Sequence, residues 1–166
     1  MDKMWSPWRS DYIESFKTKS ENEGCIFCAA EKQDINDDDS LVVFKGNKVF
    51  VVLNLYPYNN GHLMVVPYRH ISTLNDLTDE ENSEIMKLIR IMSEALQKIM
   101  SPHGFNIGAN IGKAAGAGID THLHFHIVPR WNGDTNFMPS LGNVKVISQD
   151  LLRTKKDLLD ALTDLI

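Results

Sequence analysis

No stretch of this chain is long and apolar enough to span a bilayer. The start, Met1-Asp2-Lys3-Met4-Trp5-Ser6-Pro7-Trp8-Arg9, lacks the apolar core of a secretory leader. The expected location is therefore the cytoplasm, and no membrane partner is expected. Basic residues are the minority: 17 Lys and Arg stand against 22 Asp and Glu, a net charge of −5, with no Lys/Arg cluster. That argues against a nucleic-acid surface as the main business. It leaves room for a small phosphorylated ligand held by local dipoles. Cysteine is scarce, with only Cys25 and Cys28. In a reducing compartment such a Cys-x-x-Cys pair is half a metal site, a redox couple or two plain thiols, rather than a structural disulfide. Repeats and low-complexity segments are also missing. What remains is 166 residues with 43% hydrophobic content, enough for one domain with a real core.

Residues 1–23 form an extension with Trp5, Trp8, Tyr12, Ile13 and Phe16 among polar neighbours. So many aromatics need cover from the same domain or a partner subunit. Residues 31–40, with the run Asp37-Asp38-Asp39, read as a solvated loop. Strands are predicted at 41–44, 48–55, 62–67 and 105–110. A hairpin turn is predicted at Lys45-Gly46-Asn47. Thr78-Asp79-Glu80-Glu81 is a capping box. It opens a helix carrying Ile85, Leu88, Ile89, Met92, Leu96 and Ile99 at helical spacing. Ser101-Pro102 should stop it. Ser148 is the expected cap of a last helix over 148–164. Residues 112–118 form a loop of small residues. This pattern predicts an α+β fold: an antiparallel sheet of about five strands with two main helices.

The most informative run is His122-Leu123-His124-Phe125-His126-Ile127-Val128-Pro129-Arg130. Alternation at period two predicts a strand over 121–128, with the three histidines on one face spread over about 13 Å. Each imidazole must satisfy two nitrogens and titrates near neutrality. Three readings follow: a buried polar cluster, a metal site using neutral imidazoles, or nucleophilic catalysis on phosphorus. The surroundings favour phosphorus. The loop with Gly112, Gly116 and Gly118 lies just upstream, where backbone N–H groups can approach an anion closely. His62 opens another strand just after a glycine. His103 sits in a turn and receives no role.

His122-Leu123-His124-Phe125-His126-Ile127-Val128 resembles the motif of the histidine triad family. The resemblance covers residues 24–137, the expected core of a single domain spanning 1–166. It includes Cys25-x-Phe27-Cys28, the segments from Asn54 through Gly61-His62 to Pro67, Asn110-x-Gly112, Ala115-Gly116 and Pro129-Arg130. Members are homodimeric nucleotide hydrolases or transferases whose sheet runs continuously across the dimer. Residues 5–9, 115–118 and 129–139 look most like the bacterial diadenosine polyphosphate phosphorylase branch, close to the fragile-histidine-triad hydrolases.

By that resemblance His124 is the nucleophile. His126 binds phosphate and helps the leaving group, and His62 tunes His124 from within the cluster. Asn54 matches the ribose-binding position. Asn110 and the loop carrying Gly112, Gly116, Ala117 and Gly118 would hold phosphates. Phe27 and Val52 are candidates for the base pocket, and Arg130 and Trp131 for its edge. Cys25, Cys28, His70 and His122 match the ligands of a structural Zn2+. No organic cofactor is implied, though Mg2+ can accompany the substrate's phosphates. The implied activity is cleavage of a diadenosine polyphosphate at the α-phosphate, by phosphorolysis or hydrolysis, through a nucleotidyl-histidine, with adenine favoured. The alternatives are an adenosine phosphoramidate or aminoacyl-adenylate hydrolase, and a nucleotide-binding interaction module with vestigial turnover. One departure stands out. Many members carry Ala-Gly-Gln-Ser/Thr before the triad. This chain has Ala115-Gly116-Ala117-Gly118-Ile119-Asp120-Thr121, one residue longer and without the Gln. A site without that water-positioning amide is open to inorganic phosphate as acceptor.

Overall fold

The computed structural model describes residues 24–37, 39–135 and 149–166. The aromatic extension and the predicted Ser148 cap lie outside the described residues. In chain order the elements are α1 (Ile26–Ala30), β1 (Val42–Lys45), β2 (Val49–Leu53), β3 (Leu63–Pro67), α2 (Asp79–Met100), β4 (Gly104–Gly108), β5 (Phe125–Arg130) and α3 (Leu151–Leu162). The five strands form one sheet of order β1-β2-β3-β5-β4, and every pairing is antiparallel. The expected α+β class holds, and among the described residues α1 is a third α-helix that the sequence reading did not foresee.

The two faces of the sheet do different jobs. Side chains alternate along a strand. Val49, Val51 and Leu53 of β2 therefore join Leu63, Val65 and Ile127 against α2 and α3. Opposite them stand Ile85, Leu88, Ile89, Met92, Leu96, Leu158 and Leu162, all buried. Phe50, Val52, Met64 and Val66 point the other way, where Phe27 of α1 covers them. β2 and β3 are buried along their whole length because both faces are covered.

Element ends follow local chemistry. Thr78 caps α2, its hydroxyl accepting from the Glu81 amide while the Glu81 carboxylate accepts from the Thr78 amide. The helix stops at Met100, as predicted, with Ser101 left-handed at φ 47°. The hairpin turn forms between β1 and β2, and Glu84 of α2 accepts from the amides of Asn47 and Lys48. The last helix starts at Leu151 rather than 148. Its cap is Asp150, whose carboxylate accepts from the amides of Leu152 and Arg153.

The predicted histidine strand is shifted. β5 begins at Phe125, so only His126 of the three histidines lies on it. Its partner β3 ends at Pro67, which has no N–H to continue the ladder. The Leu123 amide bonds to the Ile71 carbonyl instead. His122 and His124 therefore sit on an irregular approach to the strand rather than on one strand face. β5 also runs past Pro129, to Arg130. Pairing with β3 has ended by then, and Asn59 Nδ2 donates to the free Pro129 carbonyl.

Candidate active site

A cleft of about 370 Å³ opens on the α1 side of the sheet. One wall is apolar, from Ile26, Phe27, Leu41, Val52, Met64 and Ile119. His124 and His126 stand with Asn54, Asn110, Gly116 and Gly118 as its polar lining. The structure thus brings together most of the predicted binding residues. Gly112, Ala117 and Trp131 are not among the described residues lining it. Arg130 turns away, its guanidinium bonded to both Asp134 oxygens at 2.6 and 2.8 Å and to Asn106 at 2.6 Å. That pairing holds the Asp134 carboxyl well below the usual carboxylate range.

The proton positions in the cluster follow from its hydrogen bonds. Asn54 Oδ1 accepts from the Tyr56 amide, so its Nδ2 faces His62 Nδ1 as a donor. The Tyr58 amide also donates to His62 Nδ1, at 3.1 Å. His62 Nδ1 is therefore an acceptor, and its one proton sits on Nε2. That Nε2 lies 2.9 Å from His126 Nδ1, which must accept in turn. His126 then carries its proton on Nε2. The Tyr58 ring covers this pair, 4.6 Å from His62 and 5.6 Å from His126. His62 thus makes its hydrogen bond within the cluster to His126.

His124 is set the opposite way. Its Nδ1 lies 2.8 Å from the His122 carbonyl, an acceptor, so Nδ1 donates and the lone pair falls on Nε2. Burial pushes the His124 pKa down. The backbone hydrogen bond opposes this, but the charge of His122 adds to the fall. The two rings stand 4.8 Å apart, nearly perpendicular at 80°. The two rings lining the cleft therefore carry an unprotonated nitrogen on His124 and a buried N–H on His126. One can attack an electrophile and the other can donate to an oxygen.

A second cluster lies behind Phe27. One ligand atom from each of Cys25, Cys28, His70 and His122 can be chosen so that all lie within 4.8 Å of one another. Around a tetrahedral Zn2+ such atoms would sit about 3.3–3.8 Å apart. Cys25 Sγ is 3.2 Å from His122 Nδ1, and Cys28 Sγ is 3.3 Å from His70 Nδ1. His122 Nε2 donates to the Pro67 carbonyl at 2.9 Å, which leaves Nδ1 for a metal. Two thiolates and two imidazoles suit a soft tetrahedral ion and leave no open position, the mark of a structural site. The loop carrying His70 is tied down by Arg69, which grips the Glu81 carboxylate at 2.6 and 2.7 Å. Burial pushes the Cys25 thiol up, but the His122 hydrogen bond and charge, with nearby amides, bring it down to about 6. Cys28 is pushed up to about 11 by burial and by the hydrogen bond and charge of Cys25. Burial opposes the charged form of His122, yet its bonds to Cys25 and Pro67 raise its pKa.

A HIT domain matches residues 36–133. The chain belongs to the histidine triad family. An AP-4-A phosphorylase of Mycobacterium tuberculosis is 44% identical over 162 residues, covering 96% of this chain and 83% of the relative. The adenosine 5′-monophosphoramidase hnt1 of Schizosaccharomyces pombe is 31% identical over 65% of this chain and 75% of its own. Among solved structures, a Zn-bound histidine triad protein from Mycobacterium smegmatis superposes with a TM-score of 0.68 at 26% identity. That match covers 86% of this chain and 95% of the other.

Reading the HIT sequence alone missed Tyr58, Tyr56 and Gln33. The Tyr56-Pro57-Tyr58 run reads as a strand break, and only the fold shows the Tyr58 amide and ring against His62. Gln33 follows α1 on a segment that reads as a solvated loop, yet it lines the cleft.

Proposed function

We propose that this chain is a nucleotidyl transferase that cleaves diadenosine polyphosphates at the α-phosphate. His124 Nε2 attacks that phosphorus, and a P–N bond forms as the bond to the bridging oxygen breaks. The His126 Nε2–H donates to the departing polyphosphate oxygen. An acceptor oxygen then attacks the phosphoramidate, and the electron pair returns to His124 Nε2. The observation that carries this reading is the opposite proton placement on the two cleft histidines, set by the His122 carbonyl and by His62.

The apolar wall at Phe27, Val52 and Ile119 is the slot for the base, with adenine favoured by the substrates that the relatives' names carry. Asn54 and Asn110 flank the ribose and phosphates, with Gly112, Gly116, Ala117 and Gly118 as the phosphate loop. The Asn54 amide also orients His62. Trp131 lies in the turn after β5 and acts at the edge of the site. Mg2+ accompanies the polyphosphate. Inorganic phosphate is the proposed acceptor, supported by the phosphorylase relative and by the missing Gln before the triad. The Cys25, Cys28, His70 and His122 cluster is proposed to hold a structural Zn2+ that ties the N-terminal segment to the sheet. The enzyme is proposed to act in the cytoplasm as a homodimer. The outer side of β4 has no partner strand among the described residues, and Ile107 on it is half exposed. A second copy pairing there would continue the sheet.

Incubation with diadenosine tetraphosphate, with and without phosphate, tests this reading. ATP plus ADP is expected when phosphate is present. ATP plus AMP regardless of phosphate would refute phosphorolysis and leave hydrolysis. The phosphoramidase relative keeps a second substrate in view: adenosine phosphoramidate should be turned over more slowly if the polyphosphate is the preferred leaving group.

A further inference from the structure

His122 faces two ways. Its ring is held at both ends, by the thiol cluster at Nδ1 and by the Pro67 carbonyl at Nε2. Its own backbone carbonyl is the acceptor that sets the His124 proton. Phe27 makes a second bridge. It lies between Cys25 and Cys28 in the chain and is only 2% exposed. Its ring sits 5.4 Å from His122 and 4.9 Å from His124 while lining the cleft. The metal cluster and the cleft are therefore joined by the Phe27 side chain and by the His122 peptide carbonyl.

We infer that His122 and Phe27 are positioning residues that couple metal ligation to nucleotide binding. A metal held by Cys25, Cys28, His70 and His122 fixes the His122 ring, hence its carbonyl, hence the direction of His124 Nε2. The same ion anchors both cysteines flanking Phe27 and so sets the wall of the base slot. The inference rests on the proposed nucleotide site and goes beyond it, since a metal that only stabilises the fold needs no link to the cleft.

Coupling of this kind is reciprocal. If zinc tightens the site for AMP, AMP must tighten zinc by the same factor. The experiment uses the folded, zinc-loaded protein and a chromogenic zinc chelator, with and without saturating AMP, while calorimetry confirms AMP binding. The expected result is at least about fivefold less zinc lost to the chelator when AMP is bound, the lower end of ordinary allosteric coupling. The variant His124→Gly removes the imidazole that reads the His122 carbonyl. AMP should still occupy the apolar slot, and the factor should fall but stay above one, because the Phe27 bridge remains. Equal zinc retention with and without bound AMP overturns the inference and leaves the proposed function standing. A full effect in His124→Gly contradicts the route through the carbonyl. Failure of AMP to bind the zinc-loaded protein at all sinks the inference together with the nucleotide reading. All readings are taken on folded protein, so instability of the metal-stripped form does not spoil them.

Discussion

Replacing His62 with Phe isolates the proton-setting device of the site. His62 is fully buried and lies outside the cleft lining, so it touches no substrate directly. Phe fills the space but cannot accept from Tyr58 or donate to His126. His126 then loses the partner that keeps its proton on Nε2. The hydrogen bond at stake is one aimed at a developing charge, worth about 1.5–3 kcal/mol. At roughly 1.4 kcal/mol per factor of ten, kcat should fall about 10- to 150-fold. KM should change little, because the base slot is untouched. Stability should also drop, since the Tyr58 amide and Asn54 Nδ2 lose their acceptor, at about 1–3 kcal/mol for a stranded buried donor. Steady-state turnover of diadenosine tetraphosphate followed by chromatography gives kcat and KM, and a thermal melt gives the second effect. Unchanged kcat in a folded His62→Phe protein would refute the chain of donors from Tyr58 to the cleft. So would a loss confined to KM.

The remaining expectations concern pH, metal and one helix end. Because His124 is held neutral by burial, kcat/KM should stay flat as pH falls through about 6.5, the ordinary imidazole value, and drop only below it. An acid limb above that value would contradict the assignment. Without a metal, Cys25, brought down to about 6, is largely ionised at pH 7, Cys28, pushed to about 11, is protonated, and the His122 pKa is raised by its bonds to Cys25 and Pro67. Metal binding must release the Cys28 proton, so zinc affinity should rise with pH. Calorimetry in buffers of different ionisation enthalpy should show proton release near neutrality. In α2, Thr78→Ala removes the side chain that accepts from the Glu81 amide and should cost about 1 kcal/mol in denaturant unfolding, with turnover unaltered.

Much of this molecule was legible because its signals were local. Short apolar runs bounded by turn residues located four strands to within a few residues, and Thr78 with Glu81 marked the start of α2. The grouping of His124 with His126 at the cleft, and of His122 with the two cysteines, was legible because few other tasks need those residue types together. Readings failed where the answer lay in a distant partner. Five residues of α1 are too few to show a helical period, and they are held by packing on Phe50, Val52 and Met64. The alternation of the histidine run suggested one strand, but Pro67 across the sheet ends the ladder early. Ser148 and Asp150 are both good caps by type. Which cluster member His62 meets could not be read locally: its contact with His126 depends on the β3–β5 register, Met64 opposite His126.

The central claim is that His124 Nε2 bonds to the α-phosphorus. Protein quenched during turnover of diadenosine tetraphosphate, digested and mapped by mass spectrometry, tests it most directly. The account predicts an AMP adduct on the peptide carrying His124, absent in His124→Gly. An adduct on another residue, or none while turnover proceeds under conditions that preserve phosphoramidates, would contradict it.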